Sequence, residues 1–205
     1  MTDTGRIETS HIFTPSAERA SERQRLFDII CQKSLISGEP ITLTSGRISD
    51  YYFNTKPTMM DAEGSYLIAS LMLDIIKSTP ATLAGGLEMG AVPIAASISA
   101  VSHAQKRPVD AFFIRKQAKE HGTKSLIEGL PRNQDMSGKD VVVVEDVTTT
   151  GGSSIRAAQA LQENGATVHT VITIIDRQEG AAEAFKDAGL NFTALFGGIE
   201  FRETK

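Results

Sequence analysis

The stretch VVVVEDVTTTGGSS, Val141 to Ser154, drives four valines into two acids and then, past Val147, into nothing but Thr, Gly and Ser. A β-branched apolar run bounded by polar residues is the pattern of a strand buried on both faces of a parallel sheet, so Val141 to Val144 is predicted as a strand. Glu145 and Asp146 then fall at its carboxyl end, the edge of an open α/β sheet where ligands bind. Thr148 to Ser154 can wrap an anion, because glycines let the backbone approach closely, hydroxyls donate hydrogen bonds and successive amides form a positive concavity. Ile155, Ala158 and Leu161 follow at helical spacing, with Ser153 or Ser154 as N-cap, so the loop feeds its anion to the positive end of a helix. Carboxylates beside such a cradle repel phosphate unless something hydroxylated or cationic lies between. The expected ligand is a sugar phosphate, its phosphate on the loop and its hydroxyls on Glu145 and Asp146, with a divalent metal sharing the same oxygens. The bland alternative is a Gly/Ser/Thr-rich turn made acidic for solvation alone. No G-x-x-x-x-G-K-[ST] is present and no strand leads into G-x-G-x-x-G, which argues against P-loop and dinucleotide sites.

Outward from this stretch, strand and helix patterns alternate. Residues Ala17 to Ile36 read as an amphipathic helix stopped by Ser37-Gly38, followed by the strand-like ITLTSGRISDYYFNTKP. A helix is predicted over Ala62 to Ser78, a strand over Thr82 to Leu87, a helix over Pro93 to His103 and a strand over Val109 to Ile114. Beyond the valine strand and its helix come a strand at Val168 to Ile175, a helix near Gly180 to Ala188 and a strand at Phe192 to Phe196. Strands separated by helical segments of about ten to fifteen residues imply βαβ units, so the fold class is α/β with a five-stranded parallel core. Lys116 to Gly138 lacks a clear element and is longer than compact domains usually leave irregular, which makes it a candidate lid.

A chain of 205 residues suits one domain, large enough to bury roughly 70% of its unfolded surface. The net charge of −4 argues against a general nucleic-acid or membrane binder. The single cysteine, Cys31, cannot form an internal disulfide and sits beside Ile29 and Ile30, so packing is its expected role and reducing cytoplasm its expected home. No apolar stretch approaches 18 residues, and MTDTGRIETSHIF lacks the core of a signal peptide. Residues 1–16 are expected to be a flexible tail, with 17–205 a single domain.

Against this acidic background, Arg115, Lys116, Lys119, His121 and Lys124 crowd together in FFIRKQAKEHGTKSLIEG. The cluster reads either as a polyanion clamp or, diluted by Glu120 and Glu128, as a solvated loop. In IIDRQEG, the planar guanidinium of Arg177 suits a carboxylate ligand through two parallel hydrogen bonds, or a structural ion pair with Asp176 or Glu179.

These segments carry a resemblance. Four hydrophobics, two acids and V-T-T-T-G-G-S resemble the phosphoribosyl diphosphate signature of the type I phosphoribosyltransferases. R-K-x-A-K-x-H-G is similar to the catalytic loop of the orotate phosphoribosyltransferases, with Arg115, Lys116, Lys119 and His121 matching position by position. IIDRQEG looks like that family's D-R-Q-E segment, and TLTSGRISDYYFN resembles its amino-terminal S-G-[RK]-x-S-x-Y-[YF]-[FI] segment. The resemblance runs from about Arg25 to Gly198. It implies the type I phosphoribosyltransferase fold, with a hood over about 17–60, a core over about 61–200 and a mobile loop over about 116–130. It also implies Mg²⁺-dependent transfer of ribose 5-phosphate from phosphoribosyl diphosphate to orotate, in de novo pyrimidine biosynthesis, by a homodimer that shares loop residues between subunits. By the same resemblance Lys119, His121 and Asp146 are catalytic. Arg115, Lys116, Lys119, His121, Glu145, Asp146, Val147, Thr148, Thr149, Thr150, Gly151, Gly152 and Ser153 bind the donor. Thr149, Arg177, Tyr52 and Phe53 bind orotate, and Mg²⁺ is held mainly by substrate near Glu145 and Asp146. The chain departs from the pattern at Thr44 and at Met89-Gly90, where some members carry a lysine and a Tyr-Lys pair; Arg47 and Lys56 are candidates to supply the missing charge. A purine phosphoribosyltransferase, or a regulator sensing phosphoribosyl diphosphate, would share the acid pair and loop.

Overall fold

The computed structural model describes residues 11–42, 48–117 and 126–202; Thr44, Arg47, Lys119, His121 and Lys124 lie outside them. In chain order the elements are α1 (Ala20–Lys33), β1 (Leu35–Thr42), β2 (Ile48–Phe53), α2 (Lys56–Met59), α3 (Ala62–Ile76), β3 (Leu83–Leu87), α4 (Ala91–Ala104), β4 (Asp110–Ile114) and β5 (Ile127–Glu128). They continue as β6 (Asp140–Thr148), α5 (Gly152–Glu163), β7 (Thr167–Asp176), α6 (Ala181–Asp187), β8 (Phe192–Gly197) and a 3₁₀ turn at Gly198–Phe201.

Among the described residues the main sheet has the order β5-β4-β3-β6-β7-β8. The five strands from β4 to β8 in that order are parallel, as the alternation of patterns predicts, and β5 adds a two-residue antiparallel edge. Val142 and Val144 pack into a core with α1, α3 and α4, while Val141 and Val143 face α5 and α6. The valine run is therefore apolar throughout because β6 is central and covered on both sides. A separate antiparallel pair, β1 with β2, completes the amino-terminal part.

Four expectations are corrected. The first helix spans Ala20–Lys33, because Leu35 and Ile36 pair with Phe53 and Tyr52 across β1 and β2 instead of extending it. β6 does not stop at Val144: its ladder with β7 continues to the Thr148–Asp176 pair, so both acids belong to the strand and the intervening loop shrinks to Thr149–Gly151. Neither Ser153 nor Ser154 caps α5, which opens instead from Gly151 at φ 78°, a left-handed geometry suited to glycine. Of the expected tail, residues 11–13 run alongside β8, where Phe13 N donates to Ala194 O at 2.8 Å.

The stretch predicted as a lid is partly structured. Arg115 N donates to Leu126 O at 2.8 Å, β5 pairs with β4, and Met136 is buried in the α5 side of the core. Among the described residues no helix is long and apolar enough to cross a membrane.

Candidate active site

The carboxyl end of β6 collects the polar groups. Successive strand residues point to opposite faces, and the two acids divide accordingly. Glu145 turns toward α5, where the hydroxyls of Ser153 and Ser154 each donate to Oε2 at 3.1 Å. Asp146 turns toward the amino-terminal part, where buried Thr55 donates its hydroxyl to Oδ2 at 2.6 Å. The serines thus serve the acid and not the helix end. Glu145 is 8% exposed, and its carboxyl group is pushed up to about 7, first by burial and then by the adjacent Asp146 charge; the two serine hydroxyls pull the other way.

Both carboxylates face the turn after β3. A methyl group added to Gly90 would lie 2.5 Å from Asp146 Oδ1 and 3.2 Å from Glu145 Oε1. Glycine at this position lets the turn approach the acids, and a lysine there has no room for its first carbon. The same turn organises the start of the basic loop, since Glu88 N donates to Ile114 O at 2.8 Å and Glu88 Oε1 accepts from Lys116 N at 2.9 Å. Lys116 is exposed, and Arg115 Nε donates to Gln117 O at 3.2 Å.

Along the predicted cradle, Gly151 packs against Phe185, Gly152 begins α5, and Thr149 and Thr150 form the bend before it, Thr150 exposed. Val147 is half-buried. Thr148 is buried, its hydroxyl has no hydrogen-bond partner among the described residues, and its carbonyl accepts from Arg177 N at 2.9 Å.

Arg177 follows β7 and is nearly buried. Its Nε donates to Glu179 Oε1 at 2.9 Å and its guanidinium lies 4.7 Å from the centre of the Tyr51 ring. The ion pair with Glu179 is thus present. Tyr52 and Phe53, expected together over one ring, are separated by strand alternation: Phe53 is 4% exposed and packs on Phe201, whereas Tyr52 is 38% exposed. Lys56 is exposed and directly follows Thr55 at the start of α2. Lys119, His121, Thr44 and Arg47 lie outside the described residues.

Thr55 and Glu88 adjoin the acids and the basic loop and are not marked by any sequence motif, whereas Gly90 falls at the Met89-Gly90 departure that the sequence shows. Thr55 lies 91 positions from the acid that it serves, so no local pattern marks it.

Residues 63–190 match the family model of the phosphoribosyl transferase domain. An orotate phosphoribosyltransferase of Bradyrhizobium sp. (strain ORS 278) is 52% identical over 183 residues, 89% of this chain and 98% of that protein. The crystal structure of Mycobacterium tuberculosis orotate phosphoribosyltransferase with inorganic phosphate superposes with a TM-score of 0.76 at 36% identity, covering 89% of this chain and 99% of that one. The structure of the same enzyme in complex with 5-phospho-α-D-ribosyl 1-diphosphate gives a TM-score of 0.73 at 34% identity, over 88% of this chain and 99% of that one.

The raised Glu145 carboxyl group makes a pH-dependent contribution to stability. In the unfolded chain it ionises near its ordinary 4.5, whereas in the fold it holds a proton to about 7. Its contribution is fully present below the ordinary value and is lost as pH rises through about 7. Glu145→Gln, neutral at every pH, is expected to stabilise the substrate-free protein at pH 8 by up to about 3 kcal/mol and much less at pH 5. Thermal melts at the two pH values measure this; equal effects at both would contradict the burial of a protonated acid.

Proposed function

The chain belongs to the orotate phosphoribosyltransferase family, and on that premise we propose that it transfers ribose 5-phosphate from phosphoribosyl diphosphate to N1 of orotate. The reversible reaction releases diphosphate and forms orotidine 5′-monophosphate, a step of pyrimidine nucleotide synthesis. The observation that carries this reading is the acid pair at the end of β6, abutting a short Thr/Gly bend and the amino end of α5.

Breaking the sugar C1–O bond leaves positive charge on the ribose and negative charge on the departing diphosphate, so catalysis is chiefly electrostatic. Asp146, oriented by Thr55, and Glu145, oriented by Ser153 and Ser154, accept from the ribose hydroxyls and stabilise the cationic sugar. Main-chain amides from Val147 to Ser153 grip the 5-phosphate and so fix the ring for attack. Arg177 pairs with the orotate carboxylate, and Thr149 hydrogen-bonds the base. Lys119, aided by Arg115, Lys116 and His121, neutralises the leaving group as the loop closes and excludes water. The loop is shared across a two-fold dimer, and the cytoplasm is the compartment that fits the lone cysteine.

Two neighbouring carboxylates, one buried enough to resist ionisation by itself, form a donor set that fits Mg²⁺, which is commonly held by one or two carboxylates and phosphate oxygens. Among the described residues no group of three or more His, Cys, Asp or Glu offers a full protein cage. When bound, the ion supplies charge neutralisation at the phosphate oxygens. Glu145 and Asp146 would hold it.

Loss of orotate absorbance in the presence of donor and Mg²⁺ tests the reading, with adenine, hypoxanthine and guanine as controls; turnover of a purine but not orotate would overturn it. Arg177→Ala is expected to raise the KM for orotate by about tenfold to a hundredfold, with a far smaller change for the donor. Equal loss of both affinities would contradict its assignment. Gly90→Lys, which adds the lysine that some family members carry, is expected to lower kcat by about tenfold to a hundredfold because its first carbon displaces the Asp146 carboxylate. Unchanged kcat would show that the turn after β3 yields freely.

A further inference from the structure

The segment beside β8 does more than cover a sheet edge. Ala194 N donates to His11 O at 3.0 Å and Phe13 N donates to Ala194 O, so residues 11–13 are held in register. The imidazole of His11 stacks on Phe192, with ring centroids 5.2 Å apart, and Nε2 lies 2.8 Å from Asp176 Oδ2. Asp176 is 1% exposed, ends β7 and immediately precedes Arg177. Its second oxygen, Oδ1, accepts from Gln178 N at 2.9 Å. That bond closes a turn around Arg177 in which Gln178 adopts φ 58°, a left-handed conformation uncommon for a residue with a side chain. One buried carboxylate thus joins the amino-terminal segment to the backbone carrying Arg177.

We propose that His11 is a positioning residue for the base-binding side of the site. By occupying Asp176 Oδ2 it fixes the carboxylate orientation that holds the Asp176–Gln178 turn, and through the turn it fixes the direction of Arg177. The inference rests on the reading of Arg177 as the partner of the orotate carboxylate. Without His11, a buried carboxylate oxygen loses its donor, and the group gains by rotating toward water at the expense of the Gln178 bond. The donor side is held differently, by Thr55, Ser153 and Ser154, so the effect belongs to the acceptor.

The test compares full-length wild type with His11→Ala, with His11→Asn, too short to reach Asp176, and with His11→Gln, whose amide can donate from about the position of Nε2. Hydrogen exchange at Gln178 is measured on the substrate-free protein, and the KM of each substrate by initial rates. Removal of the donor is expected to speed Gln178 exchange and raise the orotate KM, each by about tenfold, while the phosphoribosyl diphosphate KM stays within about twofold. His11→Gln is expected to restore both toward wild type. Unchanged Gln178 exchange in His11→Ala or His11→Asn, parallel loss of both affinities, or no rescue by Gln overturns the proposal. If wild type does not turn over orotate, the functional reading fails at that point, and the exchange measurement still decides whether His11 holds the turn. Should His11→Ala not fold, the Asn and Gln pair gives the same decision.

Discussion

Two carboxylates carried side by side to the covered end of a central strand form the constraint around which this site is built. Burial and mutual repulsion raise Glu145 to about 7, so the pair stands only because neighbours offset part of the cost. Those neighbours come from separate parts of the chain: Ser153 and Ser154 from the first turn of α5, and Thr55 from the segment before α2. The acid pair therefore knits the amino-terminal part to the core. A surface acid pair would not, because water would screen the charges.

Close backbone approach is the second requirement, and the glycines of β3 and its turn meet it. A side chain on Gly86 would collide with the Val144 carbonyl and lie 2.9 Å from the Ala91 Cβ, so α4 and β6 can both press against β3 only because it has none. Gly90 extends this economy of space to the acids themselves. On the proposed reading the donor side relies on main chain at Gly90, where some family members use a lysine, and exposed Lys56 directly follows Thr55.

The architecture is legible in the sequence because each parallel strand is a short apolar run between helical patterns, and Val141 to Val144 is buried on both faces as such a run requires. The motif also locates the acids and the bend. What periodicity misses is where the ladder ends: Glu145 to Thr148 look like loop by composition, yet pairing with β7 keeps them in the strand. Ser153 and Ser154 have the chemistry of caps but face a buried acid that outcompetes the helix end for their hydroxyls. Tyr52 and Phe53 resemble one aromatic platform in sequence, while strand geometry sends them to opposite faces. Thr55 with Asp146 and His11 with Asp176 are pairs 91 and 165 positions apart, formed by topology alone, and nothing local announces them.

The most direct measurement is a crystal structure with orotidine 5′-monophosphate bound. The expected result has the phosphate on the amides between Val147 and Ser153, the ribose hydroxyls against Glu145 and Asp146, and the base carboxylate on Arg177. A nucleotide bound with its ribose away from the two acids, or with its phosphate off that bend, would contradict the central claim.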